Sequence, residues 1–340
     1  MAAKSYLDLK NEVWDTGKCS GCGACVAVCP ADAISFEEGE MVTGPRTNGY
    51  CKQVTDTVNC GACYAVCPRV GNQPAETIGN YLELMAAKAT FEVPHKQSGG
   101  AVTAILANAL DEGLIDAIVT VTEDRWTLKP SSVIITKTDV LIQQAGSRYS
   151  WWVPLLAALK YAAVGHKYRR IAVIGVPCAV QAVARMRESD NDLLKPYGKA
   201  IRLVIGLFCT ETFDYNALIL GKLKTHYKLE PHDIKKLNVK GKLEVLKQDG
   251  STTIVPLAEL ETCIRKGCHF CTDLTAVFSD ISAGAVGSPQ GSTTLIVRTP
   301  TGKGFVSSAV QNRKLEVSNG IDTAAIEKLA LVKIKKNTKK

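Results

Sequence analysis

Two stretches of this chain end in the same Cys-Pro pair, and they constrain it more than any other feature. Cys19-x2-Cys22-x2-Cys25-x3-Cys29-Pro30 is followed by Cys51-x8-Cys60-x2-Cys63-x3-Cys67-Pro68. A cubane iron–sulfur cluster takes four thiolates, and three closely spaced cysteines can wrap one cluster face from a single loop. The fourth, three residues on, points away to another cluster. The spacing therefore predicts one cluster on Cys19, Cys22 and Cys25 completed by Cys67. It predicts a second on Cys51, Cys60 and Cys63 completed by Cys29. Gly21, Gly23, Ala24, Gly61 and Ala62 are small enough to let backbone amides point at the sulfides, and such hydrogen bonds help set a cluster's potential. Cys51 is the irregular member, because eight residues separate it from Cys60. Zinc ribbons also use CxxC pairs, but they need no x3-Cys-Pro ending, and the doubled ending favours iron–sulfur.

Thirteen cysteines in 340 residues is a high and odd count. The segment Met1 to Lys10 has no apolar h-region, so no secretory signal is expected. That argues against a disulfide framework and for metal or redox chemistry. Hydrophobic residues at 46% and charged residues at 22% exclude a mainly disordered chain. The apolar stretch Trp151 to Val164 carries Lys160, so no membrane span is expected. A net charge of +8 favours anionic ligands or acidic partners and is too small to call for nucleic acid. The segment Lys18 to Arg69 resembles the two-cluster ferredoxins, and Cys29-Pro30-Ala31-Asp32-Ala33-Ile34 matches their usual text.

The length suits about two domains, and the turn-rich bridge Pro68 to Pro74 separates them. We expect a ferredoxin-like unit over residues 1–78 and a larger one over 79–340. In the larger unit, strands at Leu84–Ala89, Ile115–Val121, Val133–Thr136, Ile171–Val176 and Ile201–Phe208 alternate with helices at Ala101–Leu110, Val153–Val164, Ala179–Met186 and Tyr215–Tyr227. This is an α/β pattern with a mixed or largely parallel sheet and helices on both faces. Short strands follow at Lys242–Leu246, Thr252–Val255 and Thr293–Arg298. A helix over Thr323–Val332 leads into a lysine tail, Lys333 to Lys340, read as a solvated end.

Five further cysteines lie in the larger unit. Cys178 and Cys209 each follow a strand, and Cys268-His269-Phe270-Cys271 is a CxxC in a loop. At the carboxyl edge of one sheet, where open α/β sheets place ligands, these four can converge. Buried core cysteines give the same pattern, so the residues alone leave both readings open. Cys263 is the spare thiol. Three small-residue segments are candidate ligand loops: Lys96-Gln97-Ser98-Gly99-Gly100 before a helix N-terminus, Gly146-Ser147-Arg148-Tyr149, and Asp280 to Ser288. No G-x-G-x-x-G follows a first strand, so a Rossmann site is not expected.

Together these segments resemble a known family. Ser98-Gly99-Gly100-Ala101-Val102-Thr103, Gly146-Ser147-Arg148-Tyr149, Gly175-Val176-Pro177-Cys178, Gly206-Leu207-Phe208-Cys209 and Cys268 to Asp273 are similar, in order, to the β subunit of the coenzyme F420-reducing hydrogenase. With the double cysteine run in front, the chain looks most like the electron-input subunits of reduced-F420 dehydrogenases of methanogens. It also resembles the N-terminal part of F420-dependent sulfite reductase. The resemblance implies FAD bound without a Rossmann fold, contacted by Lys96, Ser98, Gly99, Gly100, Thr103, Ser147, Arg148, Tyr149, Gly284 and Gly287. It implies a third 4Fe–4S cluster on Cys178, Cys209, Cys268 and Cys271.

The expected activity is oxidation of reduced coenzyme F420, an obligate two-electron hydride donor, with FAD passing electrons one at a time to the clusters. No side chain is expected to act as an essential acid or base. Lys129, Lys137 and Arg148 are candidates for the carrier's anionic tail. The expected electron acceptor is a membrane-bound quinone- or phenazine-reducing complex, or a soluble ferredoxin. The chain is expected in the cytoplasm, with docking through such a complex at the inner membrane face. The alternatives are a hydrogenase or formate dehydrogenase β subunit working in the reducing direction, or a relay subunit with no substrate site.

Overall fold

The computed structural model describes residues 4–37 and 44–338. Its centre is an eight-stranded sheet. Taken in chain order, β1 is Glu83–Ala89, β2 Ala117–Glu123, β3 Pro130–Ile135, β4 Ile171–Gly175 and β5 Ile201–Leu207. A separate three-stranded antiparallel sheet follows, made of β6 Ile234–Val239, β7 Lys242–Lys247 and β8 Thr252–Pro256. The chain then returns to the large sheet with β9 Ile281–Gly284, β10 Thr293–Val297 and β11 Leu315–Ser318. The order across the large sheet is β11-β1-β10-β9-β5-β4-β2-β3. The four central strands β9, β5, β4 and β2 run parallel, and the flanking pairs are antiparallel. Of the two expected patterns, the mixed sheet is the one formed.

Strand alternation sends successive side chains to opposite faces, and the cores follow it. Ile171, Val173 and Val204 join one core with the helix Pro177–Glu188. Ala172, Leu203 and Ile205 join the other with helices Ala101–Asp111 and Pro300–Gln311. The short helices Ala24–Val28 and Ala62–Val66 extend the first core, through Ala27, Val28, Ala62 and Val66. The cysteine-rich segment thus packs on the helical layer of the large sheet.

Three expected elements differ. The stretch Val153–Val164 is not one helix. Residues from Trp152 to Ala158 form a turn, and helical geometry begins at Leu159. Trp151 is drawn into a strand pair with Asp214, and the Leu156 N–H donates to the Cys22 carbonyl at 2.9 Å. The Leu156 contact with the cysteine segment diverts a backbone group that a helix would use. The second difference is at the C-terminal end. The last helix runs Thr323–Thr338, so Lys333 to Thr338 are helical rather than a loose tail, and Lys333 is buried. Lys339 and Lys340 lie outside the described residues. The loop expected at Asp280–Ser288 begins as the central strand β9. Its Ser-Ala-Gly stretch suits that place because a side chain at Gly284 would run into the Phe208 ring. Among the described residues no helix is long and apolar enough to cross a membrane.

Candidate functional site

The two cysteine runs build the same local structure twice. Gly23 (φ 77°) and Gly61 (φ 65°) start the helices Ala24–Val28 and Ala62–Val66 in the left-handed conformation, which glycine adopts without steric cost. Each helix carries a cysteine at its second position and closes on another, Cys29 or Cys67. The helices lie side by side, so each run's last cysteine reaches the other run's loop.

All thirteen cysteines are free thiols, and their mutual electrostatics show which are neighbours. Burial pushes the Cys25 thiol well up, reinforced by Cys19, Cys22 and Cys67, and then by Cys63. Burial pushes Cys63 up to about 12, reinforced by Cys60, Cys29 and Cys51. The structure thus brings together Cys19, Cys22, Cys25 and Cys67, and beside them Cys29, Cys51, Cys60 and Cys63. Among the described residues no three His, Cys, Asp or Glu side chains close around a single metal ion.

The third group arises from sheet geometry. Parallel strands β4 and β5 end at the same edge. Cys178 opens the helix after β4, and Cys209 lies just beyond β5. The turn Lys266–Phe270 brings Cys268 and Cys271 to them, and Thr212 holds the Cys268 sulfur with its N–H and hydroxyl at 3.4 Å. Burial pushes Cys178 up to about 12. Cys22 reinforces the shift, Arg69 opposes it, and Cys271 and Cys268 add to it. Burial pushes Cys209 well up; Lys333 opposes, and Cys268, Cys271 and Cys178 reinforce. Cys22 therefore adjoins the third group, as Cys25 adjoins the second. Cys263 is buried in the core under the small sheet with Phe213 and Leu218, and Cys268 borders the same core.

Two cations sit among these thiols. Lys333 is 5% exposed and Arg69 is 6% exposed. Burial disfavours both charges. The Cys271 and Cys178 sulfurs, in the charged form that ligates iron, outweigh it for Arg69, and Cys271 and Cys209 do so for Lys333, so both pKa values lie above the ordinary range. Burial would raise Cys271, but Lys333 and Arg69 pull it below the usual thiol range. Nothing in the residue spacing pointed to either cation.

A narrow cleft adjoins the third group at the carboxyl edge of β2. It is lined by His95, Gln97, Glu123, Arg125, Ser147, Tyr149, Lys235 and Lys236 among others. The side chains nearly meet, leaving room of about 20 Å³, enough for about one water. A ring ligand has to part them. Burial raises the Tyr149 hydroxyl, and the nearby Cys209 adds to it, so this wall of the cleft faces the third group. Burial raises Glu123 against the pull of Arg148 and Arg125. Burial, then Arg125, Arg148, Lys235 and Lys236, depress His95. Gln97 Oε1, Gln144 Oε1 and Arg148 Nε are buried near this cleft without a hydrogen-bond partner. Orphaned buried groups of this kind carry a free-energy cost that a polar ligand would relieve. Together with the basic rim, they fit an anionic ligand with a hydrogen-bonding ring.

The expected ligand residues are spread along the same sheet edge rather than gathered in the cleft. Ser147 and Tyr149 line it. The Arg148 guanidinium donates to the carbonyls of Gln144 (2.9 Å) and Gly146 and stands 3.7 Å from Glu123. The Lys96 carbonyl accepts from Lys236 at 2.8 Å. Ser98 Oγ lies 2.8 Å from Thr293 Oγ1, and the Gly99 N–H donates to the same oxygen at 3.0 Å. Gly100 (φ 74°) starts the helix on which Thr103 is half-buried. Gly284 ends β9, and Gly287 packs against Asp322 and Ile326. Lys129 stacks over the Trp152 ring at 4.1 Å, and Lys137 precedes a short helix. Neither lines the cleft. Arg125, Lys235 and Lys236 do, and no motif or spacing in the sequence had marked them.

Comparison with known proteins adds three family matches. Residues 84–160 match the N-terminal part, and residues 168–323 the C-terminal part, of the coenzyme F420 hydrogenase/dehydrogenase β subunit. Residues 12–35 match a 4Fe-4S binding domain. An uncharacterised protein of Methanocaldococcus jannaschii is 42% identical over 99% of both chains. One of the subunits of the F(420)H(2) dehydrogenase of Methanosarcina mazei is 32% identical, over 86% of this chain and 83% of its own length. A chain of the F420-reducing [NiFe] hydrogenase complex of Methanosarcina barkeri superposes with a TM-score of 0.72 at 30% identity, covering 79% of this chain and 94% of that one.

Proposed function

Because this chain belongs to the family of coenzyme F420 hydrogenase/dehydrogenase β subunits, we propose that it is the F420-handling subunit of an iron–sulfur oxidoreductase, oxidising reduced coenzyme F420 through FAD. When bound, FAD takes two electrons as hydride and releases them singly, as three 4Fe–4S clusters require. In this reading the chain consists of a ferredoxin-like unit, 1–78, and a flavin unit, 79–340.

One observation carries the proposal: the three cysteine groups stand in a row. Tyr149 of the cleft adjoins Cys209, Cys178 adjoins Cys22, and Cys25 adjoins Cys63. The row ends at half-buried Cys51 and Cys60, which supports an exit to a partner protein. Arg125, Lys235 and Lys236 offer positive charge to the carrier's anionic tail. Tyr149 and Ser147 offer a wall and a donor against which flat rings are oriented, and orientation is the protein's main contribution to hydride transfer.

The test is anaerobic. Protein loaded with metal and flavin is mixed with reduced coenzyme F420 and a viologen dye, and its iron and flavin are counted. FAD released on denaturation, about twelve irons per chain and dye reduction are expected. A chain without flavin that leaves the dye oxidised would refute the proposal. The likeness to the F420-reducing hydrogenase chain favours, as a second reading, a β subunit working in the reducing direction. It predicts that reduced viologen drives F420 reduction faster than reduced F420 drives dye reduction.

A further inference from the structure

We propose that Arg69 and Lys333 are potential-setting residues: buried cations that raise the reduction potential of the cluster on Cys178, Cys209, Cys268 and Cys271. Lys333 acts on that cluster alone. Arg69 acts on it and on the neighbouring cluster of Cys19, Cys22, Cys25 and Cys67. The inference rests on the third cluster of the proposed function.

Taking an ammonium or guanidinium out of water costs several kcal/mol unless an anion faces it. Lys333 Nζ donates to two carbonyls, Cys209 O and Asp273 O, each at 2.6 Å. Arg69 donates to Gln73 Oε1 at 2.6 Å and Gly267 O at 3.4 Å, and its Nε has no partner. Among the described residues neither cation forms an ion pair with a carboxylate. The nearby Asp273 carboxylate is fully buried and already engaged. It accepts from the Ala276 N–H at 2.8 Å, from Val277 and from Gln181, and it faces the buried Arg298. The anions that act on them are chiefly the cysteines in the thiolate form that ligates iron: Cys271, Cys178 and Cys268 act on Arg69, and Cys271, Cys209, the Asp273 carboxylate and then Cys268 act on Lys333.

A cubane carrying two positive charges on four thiolates is a dianion, and one electron makes it a trianion. Fixed cations in a poorly screened interior favour that third charge. The step is a bare one-electron transfer: the cluster gains the electron its donor loses, no bond changes, and both cations keep their protons. Lys333 is held in place by its own helix. One turn on, Asn337 Nδ2 donates to Cys271 O at 2.6 Å and Cys268 O at 3.1 Å. Arg69 follows the Cys67-Pro68 pair and also acts on Cys19 and Cys67, which places it between the two clusters.

The test is a redox titration of the loaded full chain followed by electron paramagnetic resonance, with iron counted. Lys333→Gln keeps a donor for the carbonyls and removes the charge. It should lower the third cluster's reduction equilibrium at least tenfold, about 59 mV for one electron, and leave the first cluster unmoved. Arg69→Gln should lower both. Lys333→Arg should restore the wild-type value. A wild type holding only about eight irons would overturn the third cluster and this inference together. A wild type with about twelve, but with Lys333→Gln titrating like it, would overturn this inference alone. If Lys333→Gln loses iron, Arg69→Gln decides: an iron-replete Arg69→Gln with both potentials lowered supports the inference, and loss of iron there too overturns it.

Discussion

The indole N–H of Trp151 donates to the Gly21 carbonyl at 3.0 Å, joining the larger unit to the first cysteine loop. The Arg265 guanidinium stacks on the same indole at 4.1 Å and donates to the Ser20 carbonyl. Trp151→Phe leaves the Gly21 carbonyl buried and unpaired, a loss of about 1–3 kcal/mol. Gly21→Ala strains a residue at φ +69° and drives a methyl into Arg265 and to 2.7 Å from Trp151 Nε1. Both variants should lose iron to a chelator faster than wild type, Gly21→Ala the faster of the two. Equal rates in all three proteins would show that this contact does not hold the loop.

Iron content should separate the thirteenth cysteine from the rest. Cys263 packs in the core with Phe213 and Leu218, a core that Cys268 borders from outside. Cys263→Ala should keep the full iron content, while Cys271→Ser should lose about four irons per chain. Iron loss in Cys263→Ala would make it a ligand.

Gly99 and Gly304 should respond oppositely to the same methyl group. At Gly99 it would strike the Ala87 carbonyl and come within 2.8 Å of Thr293 N. Both are backbone atoms in the sheet, so Gly99→Ala should cost about 1–3 kcal/mol as an overpacked core does. Gly304 lies exposed in the helix Pro300–Gln311 with nothing within 4 Å. Gly304→Ala should stabilise by about 0.4–1 kcal/mol. Denaturant unfolding of the loaded chain checks both.

Asp116 should give part of the stability a definite pH dependence. Its carboxylate accepts from the N–H groups of Arg169 (3.1 Å) and Arg170 (2.9 Å) and from the Arg170 side chain at 2.6 and 3.0 Å. Partial burial raises its pKa, but these donors outweigh it and hold the carboxyl below its usual 3.8. A group with a depressed folded pKa adds stability that is complete above its unfolded pKa and lost as pH falls through the folded one. Asp116→Asn should therefore be less stable than wild type at pH 7, with the gap closing below about pH 4. A gap independent of pH would assign the effect to hydrogen-bond geometry alone.

The strands that carry the third cysteine group were legible because β4 and β5 are short continuous apolar runs, the pattern of strands buried on both faces. Strand β9 was not legible. Its Ser282-Ala283-Gly284 stretch has the composition of a loop and becomes a strand by pairing between β5 and β10, where Phe208 leaves no room for a side chain at Gly284. The single helix expected at Val153–Val164 fails for the converse reason: its apolar pattern is helical, but the Leu156 backbone N–H goes to the Cys22 carbonyl of the cysteine loop. Arg125, Lys235 and Lys236 were invisible as cleft residues, since they come from separate elements that meet only when the small sheet closes on the large one.

The sequence by itself determined which thiols keep company in the first two groups. Ligand spacing along one loop is a covalent property, and the two Gly-Ala-Cys helices repeat it. The tertiary structure alone decided what stands beside those thiols. Lys333, read in the chain as part of a solvated tail, and Arg69, in a turn, reach the third group from opposite ends of the protein. Charge acts through space and through exclusion of water, and neither distance nor burial between remote residues is written in their order.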